Sequence, residues 1–142
     1  MQRHYLSAYI VYLKSGEIVA AFTLMNDALM ISSQTEKEDF IDDLKLEADE
    51  DVATFLNRQT SYPAINIGHL GTSVKYQSQG IGTSVIDLVA ATYANHRLSG
   101  CQFITVDALN NDRTTKFYYK NSFGFQTNRD STFPTRRMYR IL

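Results

Sequence analysis

Gln77-Ser78-Gln79-Gly80-Ile81-Gly82 is the stretch whose residue types and spacing carry the first recognisable chemistry. Gly80 and Gly82 lack a Cβ, so the chain can turn sharply there and an anion can come close to the main chain. The run follows a strand-like stretch, 65–74, and opens a helix-like stretch, 81–97. The first N–H groups of a helix have no partner of their own, and aligned peptide dipoles add partial positive charge at that end. Such a turn can cradle a diphosphate, and it needs no lysine to do so.

Two commoner phosphate loops ask for residues that are absent. A P-loop ends in Gly-Lys-Ser/Thr, whereas Gly82 is followed by Thr83-Ser84. The dinucleotide fingerprint needs a third glycine, where Val85 stands, and an acidic residue about twenty positions on, where the chain has Cys101-Gln102. What remains, Gln-x-x-Gly-x-Gly, resembles the acetyl-coenzyme A loop of the GNAT superfamily of N-acetyltransferases. Downstream, Asn111-Asp112-Arg113-Thr114-Thr115-Lys116-Phe117-Tyr118, followed by Tyr119-Lys120-Asn121-Ser122-Phe123, resembles the same family's Asn-x-x-Ala-x-x-Phe-Tyr-x-x-x-Gly-Phe segment. Thr114 stands in place of the usual alanine and Ser122 in place of the usual glycine. The two segments keep the family's order and separation, and the resemblance runs from Leu6 to the C-terminus.

The resemblance implies an α/β fold of the α+β kind, the GNAT acyltransferase fold: a mixed, mostly antiparallel central sheet flanked by helices, here with a shortened N-terminus. It implies acetyl-CoA as co-substrate. In the family, the strand before the glycine loop splays from its neighbour and the pantetheine arm inserts between them. Carried over, Leu70, Gly71 and Thr72 would supply backbone contacts to that arm, and a main-chain N–H would polarise the acetyl carbonyl. Gln77, Ser78, Gln79, Gly80, Ile81, Gly82 and Thr83 would hold the diphosphate, with Asn111, Phe117 and Tyr118 along the coenzyme.

Acetyl transfer to an amine needs a neutral amine beside the carbonyl, a donor for the oxyanion and a proton for the departing thiolate. Tyr118 suits the last task, since a phenol with a pKa of about 10 stays protonated at neutral pH; the same residue also fits a core aromatic on an amphipathic helix. For the base, His69 is attractive because imidazole titrates near neutrality, although relatives often carry arginine there. Asp107 is a second candidate and ordered water a third. No metal is implied, because His4, His69 and His96 lack the close ligand spacings of zinc sites.

The implied acceptor is a primary amine on a small molecule or a protein. The Gly68-His69-Leu70 strand and the Arg136-Arg137-Met138-Tyr139 tail also resemble the acetyltransferase toxins of toxin–antitoxin pairs, which acetylate aminoacyl-tRNA; that version implies a tRNA and an antitoxin as partners. A module that holds acetyl-CoA without turnover is the reading from a different class.

These residues need elements to position them. Leu6–Leu13 and Ile18–Met25 are rich in β-branched and aromatic residues with Ser15-Gly16 between them, which predicts an antiparallel hairpin. The resemblance makes these the family's second and third strands, with almost nothing before them to form the usual front wall of the acceptor site; either the chain is naturally short or its start is missing, and a partner subunit, such as a second copy in a homodimer, is one source of that wall. Thr35-x-x-Glu38 has the form of a capping box and predicts a helix start. Phe40, Leu44, Ala48, Val52, Phe55 and Leu56 form its apolar stripe opposite a face of acids. Tyr62-Pro63 ends that segment, and Ile65 to Val74 reads as a strand in which Gly68 and Gly71 invite a bulge or a close ligand approach.

Past the cradle, Ile81, Val85, Leu88, Val89 and Tyr93 form the buried face of a helix ending near Arg97, with Gly100 as its stop. The Thr83 and Ser84 hydroxyls fit phosphate contacts and ordinary first-turn roles equally. Phe103–Ala108 reads as a strand. Asn110 and Asn111 offer caps for the helix of Phe117 and Tyr118, and Phe123, Phe125 and 137–142 give two closing strands.

A chain of 142 residues fits one domain, 1–142. Its formal net charge of −1 argues against a wholly basic nucleic-acid binder. The charge is nonetheless uneven: acids crowd 36–51, and arginines and lysines dominate 113–140. Solvated faces are the plainer account of both. No apolar run approaches the roughly 20 residues of a membrane span, so no membrane partner and a cytoplasmic location are expected. The lone Cys101 reads as a buried, inert thiol.

Overall fold

The computed structural model describes residues 5–31, 33–45, 54, 58–95 and 100–142. The chain folds as β1 (Ser7–Tyr12), β2 (Ile18–Met30), α1 (Gln34–Lys45), β3 (Ser61–Thr72), α2 (Ile81–Asn95), β4 (Phe103–Leu109), α3 (Asp112–Lys120), β5 (Gly124–Phe125) and β6 (Thr135–Ile141), with a 3-10 turn at Val74–Tyr76. The six strands form one sheet in the order β1-β2-β3-β4-β6-β5. Every neighbouring pair is antiparallel except β3 with β4. This is the mixed, mostly antiparallel sheet flanked by helices that the resemblance implied.

Two apolar cores sit on opposite faces. On one, Val85, Ile86 and Val89 of α2 and Tyr118 of α3 pack on Phe22, Leu24, Ile65, Ile67, Ile104, Val106 and Met138. On the other, Phe40 and Ile41 of α1 pack on Leu29, Tyr62, Ala64 and Phe103. Period-2 alternation along each strand produces this division, since successive side chains point to opposite faces. No helix among the described residues is long and apolar enough to cross a membrane.

Several boundaries differ from the sequence expectation. β2 does not end at Met25 but runs to Met30, because Asn26–Met30 pair with Ser61–Ile65 of β3 and Leu29 is wholly buried. Tyr62-Pro63 accordingly lies inside β3, whose ladder begins at Ser61, and β3 ends at Thr72, with Val74 already in the 3-10 turn. No capping box forms at Thr35; a one-sided cap is set two residues earlier, where Ser33 Oγ accepts from the Glu36 N–H (3.2 Å) and the Ser33 carbonyl accepts from the Lys37 N–H (3.0 Å). Ser33-x-x-Glu36 has the same spacing, but the Glu36 carboxylate turns away to Thr127 and Arg129. The stripe beyond Phe40, from Leu44 to Leu56, and the α2 end near Arg97 lie outside the described residues and side chains.

The Ser15-Gly16 turn forms as expected, with Gly16 at φ +89° and its N–H bonded to Leu13 O at 2.8 Å. The bulge invited by Gly68 also forms. Phe22 pairs with Leu70 and Leu24 with Ile67, so Gly68 and His69 together oppose the single residue Thr23. Ile67 and Leu70 both pack on the α2/α3 core, which leaves the two bulge residues on the opposite face.

Candidate functional site

The parallel ladder between β3 and β4 runs only from Ala64–Phe103 to Ile67–Val106, although β3 continues to Thr72 and β4 to Leu109. Beyond Ile67 the two strands part, and from Gly68 to Thr72 β3 has a strand partner on its β2 side alone. A cleft of about 630 Å³ occupies the α2/α3 side of this fork.

Its walls come from three places. Leu70 and Thr72 contribute from β3, with Gln77, Ser78, Gly80, Ile81, Gly82 and Thr83 from the cradle. Asn111, Phe117 and Tyr118 contribute from α3. Gly71 and Gln79, although predicted with these, do not line the cleft. Gly71 alternates to the other side of the strand, and the Gln79 Nε2 donates to Lys75 O at 3.2 Å. Tyr76, Arg113 and Thr114 line it without having been singled out from sequence. For Tyr76 and Arg113 there was no local signal, because each approaches from a neighbouring turn or helix.

The cradle's backbone follows from its residues. Gly80 lies at φ +81° and Ser78 at φ +60°; the first is easy for glycine, the second costs a serine about 1–2 kcal/mol. Gly82 serves another purpose: a Cβ there would meet Phe117 Cζ at 2.9 Å, so its absence lets α3 close on the start of α2. The Ser84 N–H bonds to Gly80 O at 3.0 Å, while the amides of Ile81, Gly82 and Thr83 precede it and have no intrahelical acceptor. Ser84 Oγ also bonds to Gly80 O, at 3.1 Å, so this hydroxyl serves the helix turn. Three free amides at a helix start and a cleft of coenzyme-sized volume fit a diphosphate with an extended arm.

α3 is held at both ends. Asn111 Oδ1 accepts from the Thr114 N–H at 2.9 Å and caps the helix, as expected; Asn110 instead donates to Ser131 O and Phe133 O, pinning a distant loop. At the other end the Phe123 N–H bonds to Tyr118 O and the Ser122 N–H to Tyr119 O, both at 3.1 Å, with Ser122 at φ +68°. This is a Schellman cap whose left-handed position falls where the family carries glycine. The Tyr118 and Phe123 rings complete it at 5.3 Å. Tyr118 is buried, and burial pushes its phenol above its ordinary value of 10.0. It therefore remains a proton or hydrogen-bond donor at neutral pH. Cys101 is half-buried, and burial raises its thiol, as suits an inert residue.

Both candidate bases lie on the opposite face, on the two lips of the fork. His69 is exposed on the β3 lip: its N–H donates to Thr23 Oγ1 (3.0 Å), and its Nδ1 stands 3.4 Å from the same oxygen. Asp107 is the first β4 residue past the last parallel pair. Both its carboxylate oxygens accept from Arg137 Nη1, at 3.2 and 3.0 Å. Arg137 also donates through Nη2 to Asp27, which accepts from Thr105 Oγ1 (2.6 Å), and Thr105 accepts from Asn66 (3.0 Å). This network spans β2, β3, β4 and β6 where the fork opens. Among the described residues, no group of three His, Cys, Asp or Glu could hold a metal ion.

The tail's arginines are neutralised within the fold. Arg136 pairs with Asp130 (3.2 Å), Arg137 with Asp27 and Asp107, and Arg140 with Asp87 (3.6 Å). These three arginines are thus not free cations.

The fold is shared with solved structures. A bacterial toxin aligns with a TM-score of 0.63 at 16% identity, covering 90% of this chain and 62% of its own. AtaTR bound with AcCoA aligns at 0.64 and 17% identity, covering 96% and 70%. AtaT complexed with acetyl-methionyl-tRNAfMet aligns at 0.64 and 15% identity, covering 94% and 70%. The chain thus spans about three-fifths to seven-tenths of the length of these structures. Compared by sequence with curated proteins, the chain has no match. The acetyltransferase (GNAT) family model, however, matches residues 3–125, a span that takes in the fork, the cradle and the Asn111–Phe123 segment; the chain belongs to the acetyltransferase (GNAT) family.

Proposed function

We propose that this chain is an acetyl-CoA-dependent N-acetyltransferase that acts on a primary amine of a small molecule or a protein by direct attack. The observation that carries this reading is the fork itself. A diphosphate cradle and a buried phenol share one side of it, and two groups able to accept a proton stand on the lips of the other. The unpaired edge of β3 at Leu70–Thr72 receives the pantetheine arm, and the amides of Ile81, Gly82 and Thr83 receive the diphosphate. A main-chain N–H at the fork stabilises the oxyanion by about 3 kcal/mol, the worth of one such donor. Tyr118 gives the departing thiolate its proton. His69 takes the amine's proton; Asp107, with both oxygens engaged by Arg137, orients the amine instead.

The test is release of coenzyme A thiol when the protein is mixed with acetyl-CoA and an amine panel. Turnover with at least one amine is expected. Tight acetyl-CoA binding without release in any mixture would favour a non-catalytic module, and no binding at all would end the proposal.

A second reading, a toxin that acetylates aminoacyl-tRNA and is held by an antitoxin, is supported by the AtaT structure with acetyl-methionyl-tRNAfMet. The ion-paired arginines of the tail weigh against it, since tRNA binding draws on many free cations for phosphate contacts. Charged tRNA therefore belongs in the acceptor panel. Growth arrest on expression that survives Tyr118→Phe would remove a catalytic toxin from consideration.

A further inference from the structure

We infer that Arg113 supplies the positive charge that the glycine cradle itself lacks, pairing with the diphosphate of the bound coenzyme; this rests on the reading that the cleft binds acetyl-CoA. Loop 77–82 has no lysine or arginine. Among the described residues that line the cleft, Arg113 is the single charged side chain. Lys75, the nearest cation in sequence, is turned to Glu17 on the β1–β2 hairpin at 2.9 Å.

Three features set Arg113 apart. Arg129, Arg136, Arg137 and Arg140 each pair with a carboxylate, whereas the contact of Arg113 is with a neutral amide, Nη2 donating to Gln77 Oε1 at 3.3 Å. That amide is itself fixed, since Gln77 Nε2 donates to Thr72 O at 3.3 Å. The guanidinium is therefore tethered at the first residue of the cradle, on an arm anchored to the end of β3. Lastly, Arg113 sits in the first turn of α3, the end of a helix where a cation is unfavourable. The starts of α2 and α3 and an unpaired guanidinium all converge on one cleft, so positive potential accumulates there. Helix stability does not explain the placement; an anion does. Arginine meets phosphate oxygens with two parallel donors, which also fixes orientation.

The experiment is calorimetric titration of the wild type, Arg113→Gln and Arg113→Lys with acetyl-CoA and with acetyl-dephospho-CoA, which keeps the diphosphate but lacks the 3′-phosphate. S-acetylpantetheine, which has neither, is followed by ligand-observed NMR. Arg113 is exposed, so the variants should melt as the wild type does, and a melting curve checks this. Arg113→Gln is expected to weaken both nucleotides by about 10- to 100-fold, the usual worth of a charged hydrogen bond. Arg113→Lys should recover part of that loss, and S-acetylpantetheine should bind the wild type and both variants alike. Equal weakening of S-acetylpantetheine would make Arg113 a packing residue. A loss confined to acetyl-CoA would move the contact to the 3′-phosphate, and no change would remove the assignment; any of the three overturns it. A wild type that binds neither nucleotide overturns the acetyltransferase reading as well, which distinguishes the two failures.

Discussion

The two glycines of the cradle are there for different reasons, and a pair of mutant cycles separates them. A Cβ on Gly82 would lie 2.9 Å from Phe117 Cζ and 3.3 Å from Cε2. Comfortable carbon contact is about 3.5–4.0 Å, so the Phe117 ring must swing by roughly half an ångström or more. The contact is with the far end of a side chain, so the low end of the overpacking range applies, about 1 kcal/mol. Gly82 also lies in α2, where alanine returns up to about 1 kcal/mol of helix propensity. Gly82→Ala should therefore leave stability nearly unchanged while moving a ring that lines the cleft, weakening acetyl-CoA by about 10-fold, or roughly 1.4 kcal/mol. Gly80→Ala is the reverse case. Nothing lies within 4 Å of its Cβ position, but φ is +81°, so the cost is backbone strain of about 1–2 kcal/mol with no contact behind it. Combining each with Phe117→Leu, and measuring urea unfolding and acetyl-CoA titration, gives the couplings. Gly82 and Phe117 should couple by about 1 kcal/mol, while Gly80 and Phe117 should add within about 0.5 kcal/mol. Equal couplings in the two cycles, or none for Gly82, would refute the division of labour.

Tyr118→Phe should slow turnover by about 100-fold with acetyl-CoA affinity nearly kept, as removal of a general acid does; comparable loss of both would make the residue packing alone. Because burial holds the Tyr118 phenol above its ordinary value, the loss of kcat that Tyr118 causes should begin only as pH rises beyond about 10, separate from any rise on the acid side set by the base. The unfolded chain releases that proton first, so the phenol's contribution to stability is whole below about pH 10 and is lost as pH rises through the folded value. A kcat decline between pH 7 and 9, present with Tyr118 and absent with Phe, would contradict this. Ser122→Gly should stabilise the fold by about 0.5–1 kcal/mol in urea, relieving a left-handed serine at the cost of a freer unfolded chain; a destabilised variant would mean that the Schellman cap is misassigned. Asp130→Asn should cost about 3 kcal/mol, because Asp130 and Arg136 are only 12% and 11% exposed and Asp130 also accepts from the Arg137 N–H at 2.7 Å. A loss under 1 kcal/mol would show that the pair is better solvated than its burial suggests.

Much of the candidate site was legible because its signals are local. Positive φ at Gly16 and Gly80, the Asn111 cap and the Gly68 bulge each depend on a residue and its near neighbours, and all four are found. That the glycine loop 77–82 and the Asn111–Phe123 segment would both face one cleft was likewise readable in their order and spacing. Other features had no local mark. Asn26 to Met30 look like a strand's end until Ser61 to Ile65 are laid beside them. Two overlapping Ser/Thr-x-x-Glu patterns stood near α1, and nothing in their spacing told them apart; in the structure Ser33 caps the helix while Glu38 accepts from Gln34.

The amino-acid sequence by itself determined that this chain turns at Gly16 and Gly80, caps α3 at Asn111 and leaves amides unpaired at the start of α2, because those demands are met within a few bonds of the residues that make them. Tertiary structure alone decided that β3 and β4 part after Ile67 and Val106, that a tail rich in arginine spends its charge on Asp27, Asp87, Asp107 and Asp130, and that Arg113 meets Gln77. Each of these joins residues far apart in the chain. Their proximity comes from burying two apolar faces of one sheet, and no short stretch carries that information.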